Sequence, residues 1–318
     1  MKRKRILITG GAGFIGSQLA DFFLSKNMDV TVVDNLSWGK MEFMTHNMDK
    51  NNFHFIKEDL LNGDNLKKIF SRKIDTIFHL AANSDISRSA KDPIIDLNNT
   101  TMATFNVLEA MRANEIKKIF YFSGSGVYGD VGNLYTNEDF GPLCPVSMYG
   151  ATKLSAEAMI YAYSSLFDMK VWVLRPANII GPRATHGVIF DFIGRLRENE
   201  RKLTVLGNGE QSKSYIYVAD VIKAVDLVWN QSKKEINIYN IASSSFVTVT
   251  EIARIIIEEM GLMDTEIEYT GGNVGWKGDV SIVRIGNEKI GKLGWKCDHS
   301  SKEAVRKTVR EILDNDWR

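Results

Sequence analysis

The sequence predicts an α/β protein: an open, doubly wound parallel sheet with a smaller C-terminal lobe. Three observations carry this. Short apolar runs alternate with longer stretches of helical periodicity through the first half of the 318-residue chain, the rhythm of repeated β-α units. The runs are apolar throughout rather than at every second residue, as in strands buried on both faces. The first run ends in a cluster of glycines that opens a helical stretch.

Arg5-Ile6-Leu7-Ile8-Thr9 is the first expected strand. A helix over 14–26 follows, with Ile15, Leu19, Phe22 and Phe23 on one face. Further strands are expected at 30–34, 53–56, 76–80, 118–122 and 171–174, with a late one at 238–241. Two long helices are expected at 98–113, where Met102, Phe105, Val107, Leu108 and Met111 are apolar, and at 149–166. The crossovers should be right-handed. After Arg175 the rhythm breaks, and Pro176, Pro182 and several glycines punctuate the chain up to Gly209. Helices are expected near 218–229, 249–260 and 301–313, with a glycine-rich stretch at 271–278. This places one domain at 1–175, with a late return near 217–243, and a second lobe mainly over 176–318. No repeat or low-complexity linker interrupts the pattern.

Composition narrows the function classes. Apolar residues make up 44% and charged residues 25%, which excludes a disordered chain. The 40 basic and 39 acidic residues nearly cancel, leaving no field to draw nucleic acid or an anionic membrane. Cys144 and Cys297 are too few for a disulfide framework and fit a reducing cytoplasm. The longest charge-free runs, 6–20 and 236–250, are about 15 residues each, short of the roughly 20 a membrane helix needs. The basic start, Met1-Lys2-Arg3-Lys4-Arg5, precedes an apolar stretch broken at Gly10 and Gly11. It reads as a solvated lead into the first strand rather than a leader peptide. His79 and His186 have no metal-ligand spacing to cysteines or acids and are expected in packing or at the surface.

The strongest motif is Thr9-Gly10-Gly11-Ala12-Gly13-Phe14-Ile15-Gly16, between a strand and a helix. Glycines let the backbone turn tightly and approach a pyrophosphate. The helix N-terminus then offers free N–H groups and partial positive charge to the phosphates. Asp34 ends the second strand. A carboxylate there can accept from both ribose hydroxyls of an adenosine and repel a 2′-phosphate, which favours NAD over NADP. Asp59-Leu60 follows the third strand, within reach of an adenine edge. Leu80-Ala81-Ala82 follows the fourth, where small residues let a cofactor lie close to the backbone.

Tyr149-Gly150-Ala151-Thr152-Lys153 puts a phenol and an ammonium on one helix face. The ammonium, and the positive ring of an oxidised nicotinamide, favour the phenolate and lower the tyrosine pKa from about 10. The phenolate can then take a proton from a sugar hydroxyl. With ten tyrosines in the chain such a pair arises about once by chance, so its weight comes from its place downstream of the glycine turn. Ser123-Gly124-Ser125-Gly126-Val127-Tyr128-Gly129 ends the fifth strand, and a serine hydroxyl there can steady the proton transfer.

Together these segments resemble the extended short-chain dehydrogenases/reductases, and within them the NAD-dependent nucleotide-sugar epimerase/dehydratase family, nearest its UDP-glucose 4-epimerase branch. The resemblance rests on TGGAGFIGS (9–17), DNLSWGK (34–40), EDL (58–60), HLAA (79–82), SGSGVYG (123–129), YGATK (149–153), RPANIIGPR (175–183) and GWKGD (275–279). It implies a Rossmann sheet, a tightly held and recycled NAD, and a UDP-sugar substrate. Tyr149 would be the base and acid, Lys153 its partner, and Ser125 or Ser123 the hydroxyl. Phe14, Ile15, Asn35, Ser37, Lys40, Asn99 and Pro176 would join Gly10, Gly13, Gly16 and Asp34 around the cofactor. Asn178, Val188, Val205, Lys213 and Trp276 would meet the substrate with Ser125 and Tyr149. It further implies a homodimer through the two long helices.

Several positions depart from the family pattern. Gly124 stands where the family carries its catalytic Ser/Thr. Ser125-Gly126 replace the Asp-Glu pair of dehydratases, and Gly126 replaces a decarboxylase Glu. Lys213 stands for an arginine near the diphosphate, and Trp276-Lys277 displace the arginine near the GD pair. The expected activity is therefore 4-epimerisation of a UDP-hexose, glucose/galactose, through a transient 4-keto sugar. The rivals are a UDP-glucuronate 4-epimerase, with Arg88 or Arg183 on the carboxylate, another dehydratase or reductase of the family, and a non-catalytic NAD sensor.

Overall fold

The computed structural model describes residues 3–83, 90–276 and 278–315. The chain divides into two units. The first holds 1–127, 148–175 and 228–239, the second 128–147, 176–227 and 240–318.

The first unit is built on Arg5–Thr9 (β1), Asp29–Asp34 (β2), Phe53–Lys57 (β3), Thr76–His79 (β4), Lys118–Phe122 (β5), Lys170–Pro176 (β6) and Ile236–Ile241 (β7). They form one seven-stranded sheet in the order β7-β6-β5-β4-β1-β2-β3. The neighbours from β6 across to β3 all run parallel. The order reverses between β1 and β4, the switch point at which such sheets bind ligands beyond their C-terminal ends. Each expected strand is found, with ends moved by a residue or two. Continuous apolar runs form strands here because both faces are covered: Ile6, Leu7, Ile8, Ile77, Phe78, Ile119 and Phe120 are all buried.

Phe14–Ser25 (α1), Gly63–Phe70 (α2), Ala103–Ala113 (α3) and Met148–Phe167 (α4) flank the sheet. One face carries an aromatic stack. Phe78 lies on Phe120 and Phe120 on Trp172, each at 4.8 Å between centroids, and Phe23 and Trp229 meet Phe78 at 4.6 and 5.6 Å. The Trp172 indole donates to the Val228 carbonyl at 3.1 Å, so burying it leaves no orphan donor. The other face packs Leu66, Phe70, Val107, Leu108, Met111 and Ile160 against Ile77, Ile119 and Val171.

Two features of this unit differ from the expectation. α2 is one, an eight-residue helix capped by Asn62 and buried only through Leu66 and Phe70, too short for periodicity to mark. The other is the start of the 98–113 helix. It begins as Ile94–Asp96, runs through a π-helical stretch, Leu97–Met102, and only then becomes α3. A π stretch adds a residue to a turn, which apolar spacing does not reveal.

The second unit joins its strands in pairs. Asn178–Ile180 pairs with Tyr215–Tyr217, Lys202–Val205 with Glu266–Tyr269, and Tyr135–Thr136 with Arg284–Ile285, all parallel. Ser212–Lys213 pairs antiparallel with Val247–Thr248. Val249–Glu259 starts with a capping box between Thr248 and Glu251, and Ser301–Asn315 is the last helix. Helix Val188–Glu198 lies in the stretch where the proline and glycine content suggested irregular chain. Among the described residues no helix is long and apolar enough to cross a membrane.

Candidate active site

The glycine turn is held by close backbone approaches. Gly10 has φ +69°, and a Cβ there would lie 2.7 Å from the Ala81 nitrogen. The turn after β1 therefore packs directly on the chain leaving β4. A Cβ on Gly16 would collide with the Gly10 carbonyl oxygen and lie 2.7 Å from Gly11 Cα, so the helix can start this close only without one. At Gly13 a Cβ would meet only the Gly10 carbonyl oxygen, at 3.2 Å. Gly13 is also the N-cap of α1. It offers no side chain to cap the first N–H groups, and the first helical turn carries no acid. The free N–H groups and the open cradle over Gly13 are what a pyrophosphate requires. Phe14 and Ile15 are half-buried at its rim, as are Leu80, Ala81 and Ala82 across from it.

Asp34 does two jobs. Its Oδ2 accepts from the Ala12 N–H at 3.0 Å and its Oδ1 from the Leu36 N–H at 2.8 Å, tying the glycine turn to the loop after β2. Burial raises its pKa, and these two bonds pull it back. Each oxygen keeps a lone pair for a ribose hydroxyl. The loop then folds over it: the Lys40 N–H donates to the Ala12 carbonyl at 3.0 Å. Asn35 donates to Asp59 Oδ2 at 2.9 Å and accepts from the Ser37 N–H, so the ends of β2 and β3 converge. Leu60 is buried beside them. The residues present fit a dinucleotide.

Tyr149 and Lys153 come together as their spacing predicts. The Lys153 ammonium lies 5.7 Å from the Tyr149 ring centroid and 5.1 Å from that of Tyr121, and it donates to the Phe122 carbonyl at 2.7 Å. The protein's own side chains, taken alone, do not lower the Tyr149 pKa. Burial pushes the Tyr149 phenol up to about 12, with the Asp96 carboxylate adding to the rise. Burial likewise brings Lys153 down to about 8, against Asp96 and Glu157, which hold it up. Desolvation disfavours both charged forms.

Gly124 is the residue facing the phenol. A Cβ on it would lie 3.7 Å from the Tyr149 hydroxyl and 3.9 Å from Cε1, and would meet nothing else within 4 Å. Ser123 is buried, and its Oγ has no partner. Ser125 opens the turn Ser125–Tyr128 and is half-exposed.

Sequence reasoning missed three further polar groups. Asp96 Oδ2, Thr100 Oγ1 and the Tyr121 hydroxyl are all buried without a partner. The π-helical stretch carrying Thr100 docks on α4 through Thr101 and Ser155, whose hydroxyls lie 2.7 Å apart. Asn99, the expected cofactor residue, turns its amide back to the Ile95 carbonyl at 2.9 Å. Asp96 lies before the helix expected at 98–113 and Thr100 sits in the polar run Asn98-Asn99-Thr100-Thr101 at its start, so nothing in the sequence marked either. Pro176 is buried at the end of β6.

In the second unit Lys213 donates to Asp279 Oδ1 at 2.6 Å, and the Asn178 side chain bonds the Tyr215 phenol. Trp276 and Val188 are half-buried. Val205 is fully buried, and its carbonyl accepts from the Thr270 N–H at 3.0 Å. Its side chain belongs to the core and leaves a ligand only the backbone of the loop that follows, a correction to its expected role. Arg88 and Lys277 lie outside the described residues.

Comparison with known proteins agrees with this geometry. Residues 6–242 match the model of the NAD dependent epimerase/dehydratase family. A UDP-glucose 4-epimerase from Mycolicibacterium smegmatis is 30% identical over 311 residues, 96% of this chain and 97% of that one. The crystal structure of a UDP-galactose 4-epimerase is 37% identical, with a TM-score of 0.88 over 98% of this chain and 100% of its own. A UDP-glucuronic acid 4-epimerase from Bacillus cereus, solved with NAD, is 26% identical, also with a TM-score of 0.88, over 98% of this chain and 99% of its own. With the glycine turn, its acid and the tyrosine–lysine pair in place on the matched sheet, the chain belongs to the NAD-dependent epimerase/dehydratase family.

Proposed function

We propose that the protein is a 4-epimerase of a UDP-hexose, acting on UDP-glucose and UDP-galactose. The observation that carries this is the Tyr149 hydroxyl, bare beside Gly124, with Lys153 on the same helix face. NAD, when bound, supplies a reversible hydride acceptor; Gly10, Gly13, Gly16 and Asp34 would hold its pyrophosphate and adenosine. Tyr149 removes the 4-hydroxyl proton as C4 is oxidised. It gives the proton back once the 4-keto sugar has turned its other face. Lys153, itself 3% exposed, steadies the phenolate. Asn178, Lys213 and Trp276 are assigned to the substrate. Gly126 and Ser125 supply no acid for water elimination, which weighs against a dehydratase. The free thiols of Cys144 and Cys297 support a reducing cytoplasm as its compartment.

The test is product analysis with a panel of UDP-glucose, UDP-galactose, UDP-N-acetylglucosamine and UDP-glucuronate. Interconversion of the first two supports the reading. Turnover of the uronate alone would move the assignment to the glucuronate branch. Net NADH or a 4-keto-6-deoxy product would refute an epimerase. Tyr149→Phe should lower kcat by about 10²-fold or more while NAD stays bound; full activity in that variant would remove the base.

A further inference from the structure

We propose that Gly39 is a positioning residue of the dinucleotide site: lacking a side chain, it seats the loop 35–40 on the Asp34 carboxylate and so sharpens the choice of NAD over NADP. The proposal rests on the dinucleotide site and not on the sugar assigned above. A Cβ on Gly39 would lie 2.7 Å from Ala12 Cβ, 2.8 Å from Asp34 Oδ1 and 3.0 Å from Asp34 Cγ. Carbon atoms at rest against each other stay about 3.5–4.0 Å apart, so no residue with a side chain fits here unless something moves. The φ of Gly39 lies outside the left-handed region. Lack of space, rather than backbone conformation, is therefore what calls for glycine at this position.

The surroundings of Gly39 are fixed on every side that the contacts define. The backbone of Asp34 is held in the sheet, paired with Lys57 of β3, and its carbonyl accepts from the Glu58 N–H at 3.2 Å. Its side chain is gripped by the Ala12 and Leu36 N–H groups, at 3.0 and 2.8 Å. The loop is pinned at both ends. At its start Asn35 donates to Asp59 and accepts from the Ser37 N–H, and Leu36 takes a left-handed turn with φ +62°. At its end the Lys40 N–H donates to the Ala12 carbonyl at 3.0 Å. Two N–H groups thus hold the carboxylate oxygens while Gly39 closes on the Oδ1 side. A carboxylate enclosed in this way stays aimed at the ribose. It accepts from the hydroxyls there, and it meets a 2′-phosphate as a like charge that cannot turn aside. A Cβ at 39 would undo the arrangement. Ala12 Cβ is carried on the backbone of the glycine turn and cannot give way, so the loop lifts or the carboxylate rotates. Either movement unseats the acid.

The test exchanges the NAD of the purified holoenzyme against two mixtures and measures which dinucleotide is then bound. One mixture pairs NAD with NADP. The other pairs NAD with an analogue whose adenosine ribose lacks both hydroxyls. The wild type should favour NAD over the analogue by about tenfold or more and over NADP by about 10²-fold or more. Gly39→Ala, with a cooperative melt to show that it is folded, should lower both ratios by about fivefold or more. A loop that had merely loosened would weaken NAD and the analogue alike and leave their ratio unchanged. Ala12→Gly/Gly39→Ala removes the contact with Ala12 Cβ and keeps the one with Asp34, so its ratios should stay low; it decides the question should Gly39→Ala not fold. Unchanged ratios in folded Gly39→Ala, wild-type ratios in the double variant, or a wild type that takes up NADP as readily as NAD would each overturn the proposal. No turnover is read, so failure of the epimerase reading is distinguishable from failure of this one.

Discussion

Gly124 decides how the hydroxyl of Tyr149 is served. Its φ is not in the left-handed region, and a Cβ there would sit at ordinary van der Waals distance from the phenol. A serine therefore fits, and its Oγ can reach the Tyr149 oxygen. Gly124→Ser should raise kcat by about two- to tenfold and leave stability unchanged or higher by about 0.5 kcal/mol. A lower kcat in a folded, NAD-loaded variant would mean that Ser123 or Ser125 already serves the phenol and that a second hydroxyl crowds it. At this scale the sequence was readable where chemistry follows local spacing. The glycines must sit next to one another in the chain to make a turn, and a phenol and an amine four apart must share a helix face. Asp96 and Thr100 were not readable, because their burial comes from tertiary packing that local spacing does not show. The direction of the Tyr149 pKa escaped for the same reason, since desolvation is a property of the packed site and leaves no mark on the motif.

At the scale of elements, His79 shows how the ligand edge of the sheet is pinned. It ends β4 and is fully buried. Its Nδ1 lies 2.7 Å from Thr9 Oγ1 on β1, and its Nε2 lies 2.9 Å from Thr104 Oγ1 on α3. One ring thus links the strand that carries the glycine turn to a helix behind the sheet. Burial, with Lys153 adding, lowers the pKa of His79 from 6.5 to about 3. The native state therefore leaves the ring unprotonated where the unfolded chain binds a proton. Stability from this residue is complete above pH 6.5 and falls as the pH drops toward 3, by about 1.4 kcal/mol per pH unit. Denaturant melts at pH 6.5 and 5.0 should show a loss of about 2 kcal/mol in the wild type. His79→Gln, less stable at neutral pH, should lack that acid slope. Equal slopes in the two proteins would show that the ring is protonated in the fold. The strands were legible because burial on both faces writes itself as unbroken apolar runs. α2 was not, because eight residues with two inward apolar side chains carry too little period to stand out from a loop.

At the scale of the whole molecule, near-cancelling charge gives no long-range steering, so association must come from shape and apolar surface. The first unit carries such a surface on the helices expected to pair. Ile94, Leu97, Met102 and Phe105 are exposed at helical spacing along 94–113, and Met148 and Leu166 are exposed on α4. These helices are already neighbours through Thr101 and Ser155. Apolar side chains repeated along a face need cover when they merge into a patch of several hundred Å². A second copy of the same pair of helices would be a self-complementary partner about a two-fold axis. A stable dimer should bury about 1,200 Å² or more, with Phe105 near its centre. Sedimentation at micromolar concentration should give a dimer for the wild type and a folded monomer for Phe105→Asp, with at least tenfold weaker association. A wild type that sediments as a monomer across that range would leave the apolar face without the partner assigned to it.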